Sequence, residues 1–405
     1  MSTDDTSATR ILTVNAGSSS LKIALYDTID PLRQSAEAAI ENIGTAAARL
    51  ITAGTGEEAS VSKSIVAADH STAAETLVDW LKSYLASGSL TAIGHRIVHG
   101  GPNYYKTCLI DDRVVADLEK LTDFDREHLP IELQLIENFR RRFPDVKQVA
   151  CFDTAFHHDL PDVARRLPIP RHYETEGLRR YGFHGLSYTF LMKELERLDG
   201  PASAKGRLIL AHLGSGVSLA AVHGGQSIDT TMGLTPASGV PMSTRSGDLD
   251  PGLGLYLART DNLNAEQFNH LVNFESGLLG ISETTADMEQ LLARETEDNR
   301  AKEAVDLFCY QVRKSIGGLA AALGGLDGLV FTGGMGQRAP KIRARVCAGL
   351  EFLDLKLDHA RNAAGSGVIS SDDSRVFVRI IPANESSAIA GEVMSLMSAE
   401  GWDAA

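Results

Sequence analysis

The stretch Arg207–Thr230, RLILAHLGSGVSLAAVHGGQSIDT, runs an apolar strand into a Gly/Ser turn, then a second apolar strand and the Gly224-Gly225 turn. Short apolar runs bounded by Gly and Ser clusters read as hairpin strands. A similar unit opens the chain: ILTVNAG (Ile11–Gly17), a Ser-rich turn, and LKIALYD (Leu21–Asp27). The two align only loosely, with a one-residue shift after the Ser. They read either as an internal duplication or as two unrelated hairpins. Helical spacing fills the intervening chain. Ala74, Leu77, Val78, Trp80, Leu81 and Leu85 fall near one face, with Ser71 and Thr72 as expected caps. Pro130 opens a second helix carrying Ile131, Leu135, Ile136 and Phe139. A long helix from about Asn299 is expected to stop at Gly324-Gly325. The strand GLVF then enters a turn, TGGMG, followed by a helix with Ile342, Val346 and Leu350. The strand VFVRIIP leads through PANES into a C-terminal helix with Ile389, Val393 and Met397. Strands alternating with helices, plus hairpins, predict an α/β protein with mixed sheets flanked by helices.

The chain has 405 residues, 43% hydrophobic and 23% charged, which is globular composition and long enough for two domains. Lys and Arg number 39 against 53 Asp and Glu, a formal net charge of -14. That sign argues against nucleic acid and anionic membrane as partners, both being polyanions. Any phosphate must be held by local cations, Gly-rich backbone or a metal. Cys108, Cys151, Cys309 and Cys347 form no CxxC pair, so neither a zinc cluster nor a disulfide framework is expected and a reducing cytosol fits. The opening MSTDDTSATR has no apolar signal core, and no apolar run is long enough to span a bilayer. A cytoplasmic protein is expected.

Three Gly/Ser turns follow apolar strands: NAGSSSLK (Asn15–Lys22), HLGSG (His212–Gly216) and TGGMG (Thr332–Gly336). Small residues let backbone N–H groups approach phosphate oxygens, and Lys22 adds a point charge. None fits GxxxxGK[ST], so a P-loop is excluded. Arg96, within GHRIVHGG, and Arg245, within MSTRSGDLDP, sit among small residues where a guanidinium binds a carboxylate or phosphate in two-pronged fashion. The alternative for either is a surface salt bridge. His95 and His99 spell HxxxH, but the flanking glycines oppose the helix such a zinc site needs. Asp153 in CFDTAFHHDLP and His184 in RRYGFHG are either functional or satisfied core groups. Glu385 in PANES either ligates Mg²⁺ or caps the following helix.

Taken in order, ILTVNAGSSSLK, GHRIVHGG, FDTAFH, RRYGFHG, AHLGSG, GLTPASG, TRSGDLDP, ESGLLGIS, FTGGMG and GLEFLDLKLD resemble the acetate kinases, a family that includes propionate kinases, from Ile11 to about Val393. The resemblance implies an actin-like, sugar-kinase-like α/β fold of two lobes, usually homodimeric. The lobes expected are 1–155 with a C-terminal helix 388–405, and 156–387 for the nucleotide. It implies acetate or a similar short-chain acid, ATP/ADP and acetyl phosphate as partners, with Mg²⁺ (Mn²⁺ as the alternative) held at Asn15 and Glu385. Lys22 would face the phosphates and Arg96 the acid's carboxylate. Arg245 and His184 would stabilise the transferring phosphoryl group, beside the essential Asp153 and the family's His128. Val98, Phe183 and Pro236 would meet the acyl tail. His212, Leu213, Gly214, Ser215 and Gly216, then Asp287, Met288 and Glu289, then Gly334, Met335, Gly336, Gln337 and Arg338, would contact nucleotide.

The chain departs from the family pattern at Ser215 for Asn, Ser243 for Gly, Glu127 for Leu, Glu289 for Arg, and Gln337-Arg338 for Glu-Asn. Most of these touch the nucleotide side, so GTP or pyrophosphate stand as alternative donors and propionate as an alternative acid. Elementary chemistry agrees with a kinase. A carboxylate is already ionised at neutral pH and needs no general base, so Asp153 serves better to orient Mg²⁺ or Arg96. What the reaction needs is alignment and neutralisation of two anions. Two other classes fit the residues less well. An SxxK acyltransferase at Ser19–Lys22 lacks the companion KTG and SDN motifs, and a non-catalytic nucleotide-binding module needs no acid-binding residues.

Overall fold

The computed structural model describes residues 9–17, 19–28, 31–54, 61–85 and 90–402. Ser18 in the first Gly/Ser turn, most of the polar N-terminus and residues 403–405 lie outside them. The chain divides into two compact units, Met1–Ala155 with Asn384–Ala405, and Phe156–Ala383.

In the first unit the strands are β1 (Arg10–Ala16), β2 (Ser20–Asp27), β3 (Arg33–Glu41), β4 (Arg49–Gly54), β5 (Val61–Ser64), β6 (Leu90–Ile97), β7 (Cys108–Leu109) and β8 (Lys147–Phe152). They form one mixed sheet ordered β5-β4-β3-β2-β1-β6-β8-β7. In the second unit β9 (Leu208–Leu213), β10 (Val217–His223), β11 (Gln226–Thr230), β12 (Gly328–Thr332), β13 (Gly367–Val368) and β14 (Phe377–Ile380) are ordered β11-β10-β9-β12-β14-β13. Both sheets place an antiparallel triplet beside two parallel strands and end on a short antiparallel strand. The topology repeats beyond the hairpins, which favours the duplication over two unrelated hairpins. β4 and β5 extend the first sheet alone.

The central strands are buried along most of their length, so they read as apolar runs rather than alternating ones. The helix His70–Leu85 seats Ala74, Leu77, Val78 and Leu81 in the first core, with Trp80 and Leu85 partly buried against it. The helix Leu129–Arg142 buries Leu135, Ile136 and Phe139. The helix Glu385–Glu400 lies so close to β6 that a Cβ on Gly94 would stand 2.6 Å from Ile389 and Val393. In the second unit the helices Gly185–Asp199 and Asn299–Leu323 cover the sheet, the latter closed by Gly324 at φ 70.

Four local expectations are corrected. The cap of His70–Leu85 is Asp69, whose Oδ1 accepts from Thr72 N at 2.8 Å, not Ser71 or Thr72. TGGMG is no turn: β12 runs through Thr332 and the helix Gly333–Arg338 starts at once. Gly333 permits this at φ 76, where a Cβ would press within 2.7 Å of the Leu213 backbone. The next helix, Pro340–Cys347, stops short of Leu350. The C-terminal helix begins at Glu385, not 388, and ends at Glu400, not 405, with the second unit ending at Ala383. Asn384 Oδ1 accepts from Ser387 N at 2.9 Å and fixes that start.

Candidate active site

In the first unit, β6 delivers Arg96 and the end of β8 delivers Asp153. Arg96 Nε and Nη2 donate to Asp153 Oδ2 at 2.9 and 2.5 Å, and Nη1 donates to the Ala16 carbonyl at 2.8 Å. The pair is buried, so Arg96 is no surface salt bridge. Burial by itself lowers the guanidinium's pKa, but Asp153, Glu385 and Glu132 outweigh it and the net shift is upward. Asn15 faces Lys22 across the β1–β2 ladder, and its Nδ2 donates to Glu385 Oε2 at 2.7 Å. With Asn384 acting as cap, Glu385 is released from that role. Lys22 Nζ pairs with Glu37 at 2.9 Å and is half-exposed.

His128 is buried at the head of Leu129–Arg142, and its Nδ1–H donates to Asp125 Oδ1 at 2.9 Å. Burial raises the Asp125 carboxyl, but hydrogen bonding and charge from His128 overcome it and hold the group below the usual range. Val98 is buried, with its N–H 3.1 Å from both carboxylate oxygens of Glu132. Glu127 is half-buried, its N–H on Asp125 Oδ1 at 3.2 Å.

In the second unit His184 sits at φ 59, an uncommon left-handed position for a non-glycine, just before Gly185–Asp199. Its ring stacks on His212 with centroids 4.2 Å apart, and its Nδ1 meets Ser218 Oγ at 2.8 Å. Ser218 Oγ in turn lies 2.5 Å from Tyr188 OH. A Cβ built on Gly216 would lie 3.2 Å from His184 Nε2 and 3.6 Å from Arg245 Nη1. The imidazole and guanidinium thus converge on the second glycine of HLGSG. Arg245 also donates to the Pro236 carbonyl at 3.3 Å. Its loop is pinned on two sides, by Ser243 N on the Ser215 carbonyl and by Leu278 N on the Met242 carbonyl, at 3.3 and 2.9 Å. Ser215 and Ser243, two departures from the family pattern, are therefore neighbours. Phe183 is buried, and its carbonyl lies 3.1 Å from Nε2 of the buried His157.

The remaining nucleotide-side residues divide. Gly334, Met335, Gly336, Gln337 and Arg338 form the helix Gly333–Arg338, and the Arg338 guanidinium folds over Gly334, where a Cβ would lie 2.9 Å from Nη2. Asp287 caps Met288–Arg294 through Glu289 N and Gln290 N, and Met288 is core. Glu289 is exposed in that helix's first turn. Val98 belongs to the first unit, and Phe183 and Pro236 to the second.

Sequence reasoning missed Asp125, Glu132, His157, Ser218 and Arg343. Asp125 had a signal, standing three residues before His128. Arg343 had none: it is fully buried and donates to the carbonyls of Gly336, Gln337 and Asn362 and to Asn362 Oδ1.

Among the described residues no group of three or more His, Cys, Asp or Glu is placed to hold a metal. Asn15 and Glu385 offer an amide and a carboxylate side by side. That donor set fits Mg²⁺, which takes one or two protein oxygens and fills its shell with water and phosphate.

Residues 10–391 match the model of the Acetokinase family. The chain is 41% identical over 393 residues to an acetate kinase of Rhodopseudomonas palustris, covering 95% of this chain and 98% of that one. It is 40% identical over 397 residues to a propionate kinase of Citrobacter rodentium, covering 96% and 98%. The crystal structure of a propionate kinase from Francisella tularensis superposes with a TM-score of 0.87 at 33% identity, covering 95% and 98%.

Proposed function

The chain belongs to the acetokinase family, and on that premise we propose that it is an acetate kinase, moving a phosphoryl group reversibly between ATP and acetate to give acetyl phosphate and ADP. The observation that carries this reading is the convergence of His184 Nε2 and Arg245 Nη1 on Gly216. A cation and an imidazole meeting over small-residue backbone is what a transferring phosphoryl group requires.

Three of Arg96's five N–H groups are engaged by Asp153 and Ala16, and the other two are the ones assigned to the acid's carboxylate. Asp153 has the role of orienting Arg96. When Tyr188 donates to Ser218 and Ser218 donates to His184 Nδ1, Nε2 carries the proton and offers an N–H on the Gly216 side. Val98, Phe183 and Pro236 are assigned to the acid's tail. Mg²⁺, held through Asn15 and Glu385 with Mn²⁺ as its substitute, supplies charge neutralisation at the phosphate oxygens when bound. Lys22 and the HLGSG turn are assigned to the phosphates, with Asp287–Glu289 and Gly334–Arg338 toward the rest of the nucleotide. Glu289, standing where the family has an arginine, removes a cation that can stack on a base face, so ATP is assigned as the donor with base discrimination weak enough for GTP to support comparable turnover.

Exposed Leu249, Leu255, Tyr256, Leu307 and Tyr310, all in the second unit, support a homodimer. Light scattering at micromolar concentration tests it. Unpaired cysteines support a cytoplasmic location. A panel of acetate, propionate and butyrate with ATP, GTP and pyrophosphate tests the substrate assignment. Acetate leads, since each extra methylene in a small apolar site shifts discrimination by roughly 10–200-fold. A higher kcat/KM for butyrate, or activity with pyrophosphate alone, overturns it.

A further inference from the structure

Among the described residues of the first unit, Glu132 is a buried acid to which the acetokinase reading gives no task. Glu132 lies in the first turn of Leu129–Arg142 and is 2% exposed. Both of its oxygens stand 3.1 Å from the N–H of Val98. Val98 lies between Arg96, assigned to the carboxylate, and His99, whose Nδ1 accepts from Gly101 N at 2.9 Å. One carboxyl group thus fixes the backbone from which both the carboxylate anchor and the tail contact project. We propose that Glu132 is the positioning residue of the acid site, holding Val98 through its main chain and, by its own charge state, setting how much of the Arg96 charge reaches the substrate. The proposal deepens the acetate kinase reading and rests on it.

The charged surroundings explain the second role. Burial lifts the Glu132 carboxyl to about 8, Arg96 opposes the lift, Asp125 and Asp153 reinforce it, and the Val98 N–H opposes it. The charges that act on the group are those of Arg96 on β6, Asp153 past the end of β8, and Asp125 in the segment before the helix. Behind these stand His128 and His99 against Asp125, and Glu385 against Arg96. Below about 8, Glu132 is neutral and Arg96 answers to Asp153 and Glu385 alone. Above it, a further negative charge competes with the incoming carboxylate for the same guanidinium.

Three preparations of the full chain decide the matter: wild type, Glu132→Gln and Glu132→Ala. The proposal expects kcat/KM for acetate in the wild type to fall as pH rises through about 8, with the nucleotide KM unmoved. Glu132→Gln keeps a carbonyl oxygen for the Val98 N–H and loses the ionisation, so its alkaline fall disappears. Glu132→Ala raises the acetate KM by roughly tenfold or more, as loss of a hydrogen bond to a chargeable group does, and Glu132→Gln recovers most of that loss. Independently of turnover, the wild-type-minus-Gln infrared difference spectrum shows a protonated-carboxyl band that bleaches as pH is raised through about 8. An unchanged alkaline limb in Glu132→Gln overturns the proposal even if Glu132→Ala is poorly folded, and so does a defect of folded Glu132→Ala shared equally by acetate and nucleotide. Absence of any carboxylate phosphorylation in the wild type defeats the kinase reading instead, so the two failures are distinguishable.

Discussion

Replacing Arg343 by Met removes a guanidinium and keeps most of its stem. In the native protein its contacts are 2.8 Å to the Gly336 carbonyl, 2.8 Å to that of Gln337, 2.8 Å to Asn362 Oδ1 and 2.7 Å to the Asn362 carbonyl. A buried acceptor deprived of its donor costs about 1–3 kcal/mol, and three of the four are buried, so the loss is on the order of 3 kcal/mol or more. The cavity contribution is small because Met fills the stem's volume. The assay has a built-in control. Both tryptophans, Trp80 and Trp402, lie in the first unit, so their fluorescence follows that unit while far-ultraviolet circular dichroism follows both. Urea unfolding of Arg343→Met is expected to show an early dichroism transition with fluorescence nearly in place. The helix Gly333–Arg338 should loosen with it, raising the nucleotide KM more than the acetate KM. Arg343→Lys keeps the charge but cannot span the fork, and falls between. A stability loss below about 1 kcal/mol, or equal rises in the two KM values, refutes the reasoning that this buried cation braces the helix.

Arg245→Ala is expected to lower kcat by at least on the order of 10², while Arg96→Ala also raises the KM for the acid; changes confined to nucleotide affinity contradict both placements. Gly216→Ala puts a methyl group 3.2 Å from His184 Nε2, and kcat should drop roughly tenfold with the unfolding midpoint little changed. Steady-state kinetics beside a urea melt reads both quantities, and full activity removes Gly216 from the site. His95 and His157 fold neutral, burial lowering each from 6.5 to about 4. As pH drops through that window the unfolded chain takes up protons the folded chain refuses. Stability is therefore full above about 6.5 and lost toward 4, by on the order of 3 kcal/mol per histidine. Urea midpoints at pH 7 and pH 5 should differ less in His95→Gln and His157→Gln than in wild type, and an unchanged difference counts against buried neutral imidazoles.

The hairpins were legible because apolar runs bounded by Gly and Ser admit few other structures, and the helix faces because their apolar residues recur at helical spacing. TGGMG misled because a run of glycines reads as a turn, whereas a single left-handed Gly333 lets the following residues close into a helix against the Leu213 backbone. The Asp69 cap was hidden by two equally good hydroxyl candidates beside it. Glu132 and Arg343 were out of reach for a different reason. A charged residue in a helix looks solvent-facing in sequence, and only the tertiary arrangement shows that one meets the Val98 N–H and the other the carbonyls of Gly336, Gln337 and Asn362. Asp287 and Met288 illustrate the reverse case, where positions singled out for a ligand also serve as a helix cap and a core residue.

Trapping the product shows whether a carboxylate oxygen takes up the phosphoryl group. Purified protein is incubated with acetate, ATP and Mg²⁺ in the presence of hydroxylamine, which converts an acyl phosphate to a hydroxamate that gives a coloured ferric complex. Hydroxamate formed in step with ADP, and strongly reduced in Arg245→Ala, is the predicted result. ADP released without hydroxamate shows transfer to water or another acceptor and contradicts carboxylate phosphorylation.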